Sequence, residues 1–178
     1  VIALENVEMV EVNGIPPKSI YIIYDGGSGE DVARVVYEKK AGGIKAHGSE
    51  EYTFENKKGI KNTIGVTPAE RKDIYVKVTV LVGRDYDVSR GSEEIRKAVY
   101  EYVGGYYGET KYKGVSMGGT IYATQIESSV NCSTSGILDI IAELSLDGES
   151  YERVNITSEP YESVNVRDVE VVINRDTN

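Results

Sequence analysis

"YDGGSGEDVARVVYEKKAGG", residues Tyr24–Gly43, carries the signals of a strand end, a glycine turn and a helix. Such a loop can hold a phosphate when backbone N–H groups and a lysine face the anion. Here no Gly-Lys-Ser/Thr follows, and the helix start is acidic, with three carboxylates around the glycines: Asp25, Glu30 and Asp31. Carboxylates at this end of a helix complement its dipole. The stretch therefore predicts a tight turn, capped at Ser28 or Gly29, that feeds a helix.

A second stretch repeats this plan. Residues 74–105 again give an apolar strand, a loop, an acidic helix start and a Gly-Gly end. The two helices align without gaps, so that Val32 and Val36 correspond to Ile95 and Val99. We expect all four side chains on buried helix faces, and the two resulting βα units at equivalent positions on one sheet.

Strand periodicity indicates what kind of sheet this is. Apolar residues occupy every second position from Ile74 to Val82 and from Leu138 to Leu146, with polar residues such as Lys77, Asp139 and Glu143 between them. Wholly parallel strands are apolar on both faces, whereas this pattern has one buried and one solvated face. It predicts an α+β fold whose mixed or antiparallel sheet carries its helices on one side.

The remaining elements complete a provisional domain plan. Residues 50–66 predict a hairpin arm with a Lys-Lys-Gly turn, Tyr122, Ile126 and Val130 predict a third helix, and Asp147-Gly148 predicts a turn. The last strand is expected at residues 169–173. The plan has three parts: a strand in residues 1–18, the two βα units with the arm in residues 19–115, and a helix with C-terminal strands in residues 116–178, which can form a subdomain of their own.

The composition limits the classes to which this protein can belong. The 178 residues include 20 Lys and Arg against 29 Asp and Glu, a net charge of −9 that repels nucleic acid and anionic membranes. No apolar run approaches the roughly 20 residues of a membrane span. We expect a soluble globular protein with neither partner. The chain begins at Val1 without a signal pattern, which predicts a piece of a longer protein.

The sequence offers few candidate catalytic or metal-binding residues. His47 is the only histidine and Cys132 the only cysteine; we expect the first in a loop and the second as a small apolar filler near a helix end. No motif has catalytic spacing, so no catalytic residue, cofactor or metal ligand is predicted. The alternative is a small metal-binding or hydrolytic domain with an acidic site near four residues: Asp25, Glu30, Asp31 and His47.

Protein contact is the better supported use of the surface. The chain has 14 Tyr, one Phe and no Trp, and tyrosine combines apolar area with a hydroxyl that tolerates water. One alternative stays open for the tyrosines, namely that many of them lie only at the edge of the core. A second stays open for the lysines, namely that they merely keep a hairpin edge soluble. The candidate interface comprises Lys57, Lys58 and Lys61 at the predicted hairpin tip, with Tyr106 and Tyr107.

The order of these segments resembles a known family. "NGIPPKSIYIIYDGGSGEDVARVVYEKKAGGIKAHGS", "RKDIYVKVTVLV", "EEIRKAVYEYV" and "GGTIYATQIESSVN…SGILDIIAELSLDG" together resemble the C-terminal half of baseplate J-like proteins. These are wedge components of contractile phage tails and related injection machines, including Mu-like phages and tailocins. The most specific part runs from Pro16-Pro17 and Ser19-Ile20 through Asp25-Gly26-Gly27 to the "EKKAGGI" exit.

The resemblance implies a structural protein without a catalytic site or cofactor. Its implied location is the virion tail baseplate, after assembly in the bacterial cytoplasm. Its implied partners are other wedge and hub proteins and a second copy of itself. The source implied is a phage, a prophage or a tailocin, with no choice among the three.

Overall fold

A computed structural model describes residues 1–176. The chain divides into two compact units, Val1–Glu70 and Arg71–Asn178. Helices and strands of both kinds of pairing, parallel and antiparallel, confirm the predicted α+β class. Among the described residues, no helix is both long and apolar enough to cross a membrane.

The first unit is built on a five-stranded mixed sheet. Its elements are β1 (Ile2–Asn6), β2 (Ser19–Tyr24), α1 (Gly29–Lys39), β3 (Lys45–His47), β4 (Glu50–Glu55) and β5 (Lys61–Pro68). The strand path is β1-β2-β5-β4, and β3 also pairs with β2. Parallel strands need a crossover connection, and α1 provides it between β2 and β3. The antiparallel β4–β5 pair confirms the predicted hairpin arm.

A small core holds this unit together. The buried side chains come from the strands and from one residue of the helix: Ile22, Tyr24, Ala33, Ala46, Ile64 and Val66. Val32 and Val36, predicted to be buried, are only partly so, because the smaller Ala33 takes the innermost position of α1. Packed against this core, Tyr37 of the helix stacks on Phe54 of β4 with ring centroids 5.3 Å apart.

The second unit contains a three-stranded sheet in the order β10-β6-β12. Its elements are β6 (Glu70–Val82), α2 (Val88–Val103), β7 (Gly105–Tyr107), β8 (Thr110–Tyr112), β9 (Thr120–Ile121), α3 (Ala123–Ser133), β10 (Ile137–Ser145), β11 (Ile156–Thr157) and β12 (Glu162–Arg175). β7 pairs with β8, and β9 with β11. The third helix and the last strand were predicted, although β12 extends well beyond residues 169–173.

The core of this unit follows the predicted periodicity. Alternate residues of β6 from Ile74 to Val82 are fully buried, and α2 packs a face containing Ile95 and Val99 into the same cluster. α3 adds Ile126 and Val130. These positions repeat at strand and helix spacing, which is why the sequence alone could place them.

The prediction that both βα units share one sheet is wrong. β2 lies in the five-stranded sheet, whereas β6 lies in the three-stranded sheet, where β10 pairs with it antiparallel. The shared helix pattern indicates only that each helix packs one apolar face on a sheet. Because any sheet can receive such a face, the pattern does not identify which sheet each helix packs on. The unit boundary at residues 70 and 71 falls inside the predicted block 19–115.

Candidate functional site

The glycine turn before α1 has the predicted conformation. Gly26 and Gly27 have φ of 73° and 86°, a region open to glycine at little cost. Ser28 is the N-cap, with extended backbone and no side-chain capping hydrogen bond. Glu30 and Asp31 lie in the first turn of the helix, as expected.

The carboxylate of Glu50 lies at the start of this helix. Glu50 Oε2 accepts hydrogen bonds from the hydroxyls of Tyr24 at 2.9 Å and Tyr52 at 3.1 Å. A Cβ added to Gly29, the first helical residue, would collide with that carboxylate oxygen. The place where a helix N-terminus favours a negative charge is therefore occupied by the chain's own carboxylate.

The two tyrosines respond to this carboxylate. Burial, followed by the hydrogen bond to Glu50, raises the pKa of Tyr24 above its ordinary value. The hydrogen bond to Glu50 raises the pKa of Tyr52. In both cases a neighbouring negative charge opposes ionisation of the phenol, so both tyrosines stay protonated donors. The sequence alone did not single out Glu50, because the strand that carries it starts twenty-one residues after the helix begins.

The residues of the alternative acidic site form no metal-binding group in the part of the chain that the structure describes. Among residues 1–176, no group of three or more His, Cys, Asp or Glu side chains is arranged to hold a metal ion. Glu30 instead pairs with Arg34 one helical turn away, at 2.8 Å. His47 ends β3 rather than lying in a loop, and its Nε2 is buried without a hydrogen-bond partner in the described part of the chain.

Cys132 also differs from its prediction. It lies in the last turn of α3, near the helix end as expected, but its side chain is exposed and does not fill the core. The helix buries its positions Ala123, Ile126 and Val130, and residue 132 falls on the opposite face.

The predicted lysine cluster is displayed at the hairpin tip. Lys57, Lys58 and Lys61 are all exposed, and none forms an ion pair with a residue that the structure describes. Ile60, between them, is 56% exposed. The tip thus presents three cations and one apolar side chain to solvent.

The predicted tyrosine pair divides into two roles. Tyr106 on β7 is 55% exposed, whereas its neighbour Tyr107 stacks on Tyr100 with ring centroids 5.2 Å apart. The Tyr107 hydroxyl also donates to the carboxylate of Glu93, and this hydrogen bond raises the pKa of the phenol. Tyr106 is therefore available for contact, and Tyr107 is tied into its own unit.

Most of the tyrosines lie at the edge of the core. Of the 14 tyrosines, only Tyr106, Tyr122 and Tyr161 are exposed. The others are buried or half-buried, with many packed against the two core clusters. The number of tyrosines in the sequence therefore predicted a larger tyrosine surface than the structure has.

A cavity of about 440 Å³ lies at the start of α2. Its walls carry both signs of charge, including Asp87, Arg90 and Glu94. Arg90 Nε donates to Glu94 at 2.8 Å, and the Asp87 side chain accepts from the backbone N–H of Arg90 as the helix N-cap. These charged groups bond to one another and to the helix, and none of the predicted site residues lines the cavity.

Sequence reasoning missed one exposed apolar surface. Val7, Met9 and Val10, in the segment after β1, are 65–75% exposed. Glu8 and Glu11 alternate with them and are also exposed. The signal in the sequence was an apolar run interleaved with acids, in a segment that had been assigned only to an initial strand.

Comparison with known families adds no assignment, since no family model matches the chain. A search of curated proteins likewise finds no match.

Proposed function

We propose that this chain is a structural, non-catalytic module of the baseplate wedge of a contractile phage tail or a related injection machine. The observation that carries the proposal is the resemblance of residues 13–49 to baseplate J-like proteins. In this stretch the residue types and the spacing both agree with the family, from the proline pair to the glycines after the helix.

The structure gives these residues folding roles, which supports a scaffold function. The Pro16 carbonyl accepts from the Ser19 hydroxyl at 2.6 Å and from the Asn6 amide at 3.2 Å. Ser19 itself is buried. Gly26 and Gly27 reverse the chain with positive φ.

The surface also suits assembly. An exposed apolar loop lies after β1, an exposed lysine cluster lies at the β4–β5 turn, and Tyr106 is exposed on β7. Exposed apolar groups rimmed by charges are typical of protein contact sites. The partners proposed are wedge and hub proteins of the tail, and the proposed location is the virion baseplate after assembly in the bacterial cytoplasm.

Purified tail particles test this proposal. Antibodies against the chain, coupled to gold, should label particles from cells that carry the gene, at the end of the tail distal to the head. Labelling should disappear when the antibody is first saturated with the purified chain. Particles that contain no trace of the chain, by gold labelling and by mass spectrometry, would contradict the proposal.

A further inference from the structure

The three-stranded sheet has two outer strands, and side chains cap the edge of one of them, β10. The Ala142 N–H donates to the Glu127 carboxylate at 3.1 Å, and the Ile140 N–H donates to the Asp139 carboxylate at 2.9 Å. A sheet edge presents unpaired N–H and C=O groups on which another strand can form, and charged side chains at the edge oppose that pairing. The edge of β10 is therefore protected.

The outer edge of β12 is covered near its start. There the Val166 N–H donates to the carbonyl of Gly104, just before β7, at 3.2 Å. The side chain of Val166 is buried in the core. Side-chain face and backbone direction alternate together along a strand. In β12, a residue whose side chain enters the core therefore directs its backbone groups outward, away from β6.

The positions that β12 packs into the core identify the residues to which this rule applies. They step by two up to Val166, by three to Val169, and by two again to Val171 and Ile173. The step of three indicates one extra residue, a β-bulge, which shifts the alternation. Asp176, which has the opposite phase, donates its N–H inward to the last carbonyl of β6 at 2.9 Å. The alternation after the bulge is therefore regular.

Residues 169–173, the free edge, consequently present unpaired backbone groups. The N–H and C=O groups of Val169, Val171 and Ile173 point away from β6, and β12 is the last strand of its sheet. Within the described residues, no main-chain or side-chain group bonds to them. The segment reads VEVVI, four β-branched apolar residues and one acid. Such residues favour strands, so this uncapped edge is suited to accept one more strand.

We propose that the free edge of β12 binds an extended segment of another protein, which adds a fourth strand to this sheet. Backbone hydrogen bonds to Val169, Val171 and Ile173 hold the segment. The chain's net charge of −9 repels a second copy and attracts a basic segment. The inference concerns the edge itself and does not require the baseplate assignment.

Cross-strand neighbours determine which side chains that segment carries. A residue beside Val171 lies on the sheet face that α2 covers, and a residue beside Glu170 lies on the opposite face. Apolar β-branched residues suit the first position. Lys or Arg suits the second, because the Glu170 side chain is 46% exposed and its one ion pair, with Lys77 at 3.3 Å, leaves it open to a second cation. The segment therefore alternates apolar and basic residues.

Hydrogen exchange of the full chain, followed for each amide by NMR, tests the site with two synthetic peptides, KVKVKVKV and EVEVEVEV. In the chain alone, the amides of Val169, Val171 and Ile173 should exchange fast, whereas those of Glu170 and Val172, which point to β6, should exchange slowly. The basic peptide should protect the three fast amides, and the acidic peptide should not.

Three results of this experiment would overturn the proposal. The first is slow exchange of the three amides in the dilute chain alone, because the edge would then already be paired. The second is protection that appears without peptide as the chain concentration rises, because copies of the chain would then occupy the edge. The third is the absence of protection by the basic peptide, or equal protection by both peptides.

Two proline variants give an independent test by calorimetric titration with the basic peptide. V171P removes one outward donor and leaves the pairing with β6, a position where edge strands tolerate proline. Its peptide Kd should rise at least about tenfold. I140P is the matched control, because Ile140 is also half-buried and directs its N–H outward, but on the β10 edge. It should bind like the parent. Circular dichroism verifies folding, and if V171P does not fold, the exchange experiment decides alone. Unchanged binding by V171P, or an equal loss in both variants, would contradict the site.

Discussion

Glu50 places a carboxylate beside the first residue of α1, Gly29. Its carboxylate occupies the helix N-terminus and accepts from two tyrosine hydroxyls. The turn itself was predictable, because glycines and acids before an apolar helix are local signals. The role of Glu50 was not, because it depends on the β4 strand returning beside β5 and across the helix start.

Replacing Gly29 by Ala tests this arrangement. The added Cβ would collide with the Glu50 carboxylate and lie 2.6 Å from the Tyr52 hydroxyl and 2.8 Å from the Tyr24 hydroxyl. We expect the free energy of unfolding to fall by about 1–2 kcal/mol, since the group must separate to admit the methyl. Gly42→Ala is the matched control, because nothing lies within 4 Å of its added Cβ. Urea denaturation of the two variants gives the comparison, and equal stabilities would refute the role assigned to Glu50.

Asp147 predicts a pH dependence at the turn after β10. The backbone N–H of Ser150, the hydroxyl of Ser145 and the backbone N–H of Glu149 hold the pKa of its carboxyl at about 2, below the ordinary 3.8. A lowered folded-state pKa stabilises the fold above the unfolded pKa and loses that stabilisation as pH falls through the folded value. Between about pH 4 and pH 2, the parent should therefore lose more melting temperature than Asp147→Asn, whose amide does not titrate. If the melting temperatures of the two proteins fall equally at acid pH, Asp147 contributes nothing to the pH dependence of stability.

At the scale of single elements, periodic burial was predictable and its interruptions were not. β6 and α2 bury the positions that their spacing indicated. Leu138 and Leu146 were also expected in the core, yet they are 59% and 57% exposed. The register of β10 against β6 shifts between Ile137 and Asp139, which leaves Leu138 out of phase. Leu146 follows the last residue of the strand.

Val99→Asp tests the packing of α2. Val99 is completely buried, so an aspartate there leaves a charge without solvent or a partner. We expect a loss of about 3 kcal/mol or more in the free energy of unfolding. Val88→Asp, the same substitution at the 38% exposed first residue of α2, should change stability little. Similar chemical denaturation midpoints for the two variants would mean that the helix face is misassigned.

The hairpin tip should matter to association more than to folding. Replacing residues 56–60 by an Asn-Gly turn keeps the Glu55–Lys61 pair and the Tyr37–Phe54 stack, while it removes Lys57, Lys58 and Ile60. Two-residue Asn-Gly turns suit antiparallel hairpins. The melting temperature should stay within a few degrees of the parent's, and binding to neighbouring tail subunits should weaken, most strongly at low salt. A variant that unfolds would place the tip in the core, and one that binds unchanged would make its lysines only solvated edge residues.

At the scale of the whole molecule, the sequence indicated the fold class but not the partition into units. Each helix pattern specifies one apolar face, whereas the choice of sheet depends on which distant strand pairs with which. β10 follows β6 by more than fifty residues, and no local signal encodes that pairing. The exposed apolar segment of residues 7–12 was missed for a related reason. Whether an apolar run is exposed depends on whether distant parts of the chain pack over it.

A purely structural protein should not need its few potentially reactive side chains. The double variant His47→Ala/Cys132→Ala should support the same yield of intact tails as the parent, because Cys132 is exposed and the His47 Nε2 has no hydrogen-bond partner in the described chain. Tail yield is counted in electron micrographs, with circular dichroism to verify folding. Loss of tails with a folded variant would indicate chemistry that the proposed function does not include.

Disruption of the coding sequence, followed by electron microscopy of the particles, tests the central claim most directly. If the chain is a baseplate module, cells without it should yield no tails with an assembled baseplate and sheath, and the parent chain in its natural sequence context should restore them. Complete, contractile tails from cells that lack the chain would contradict the account.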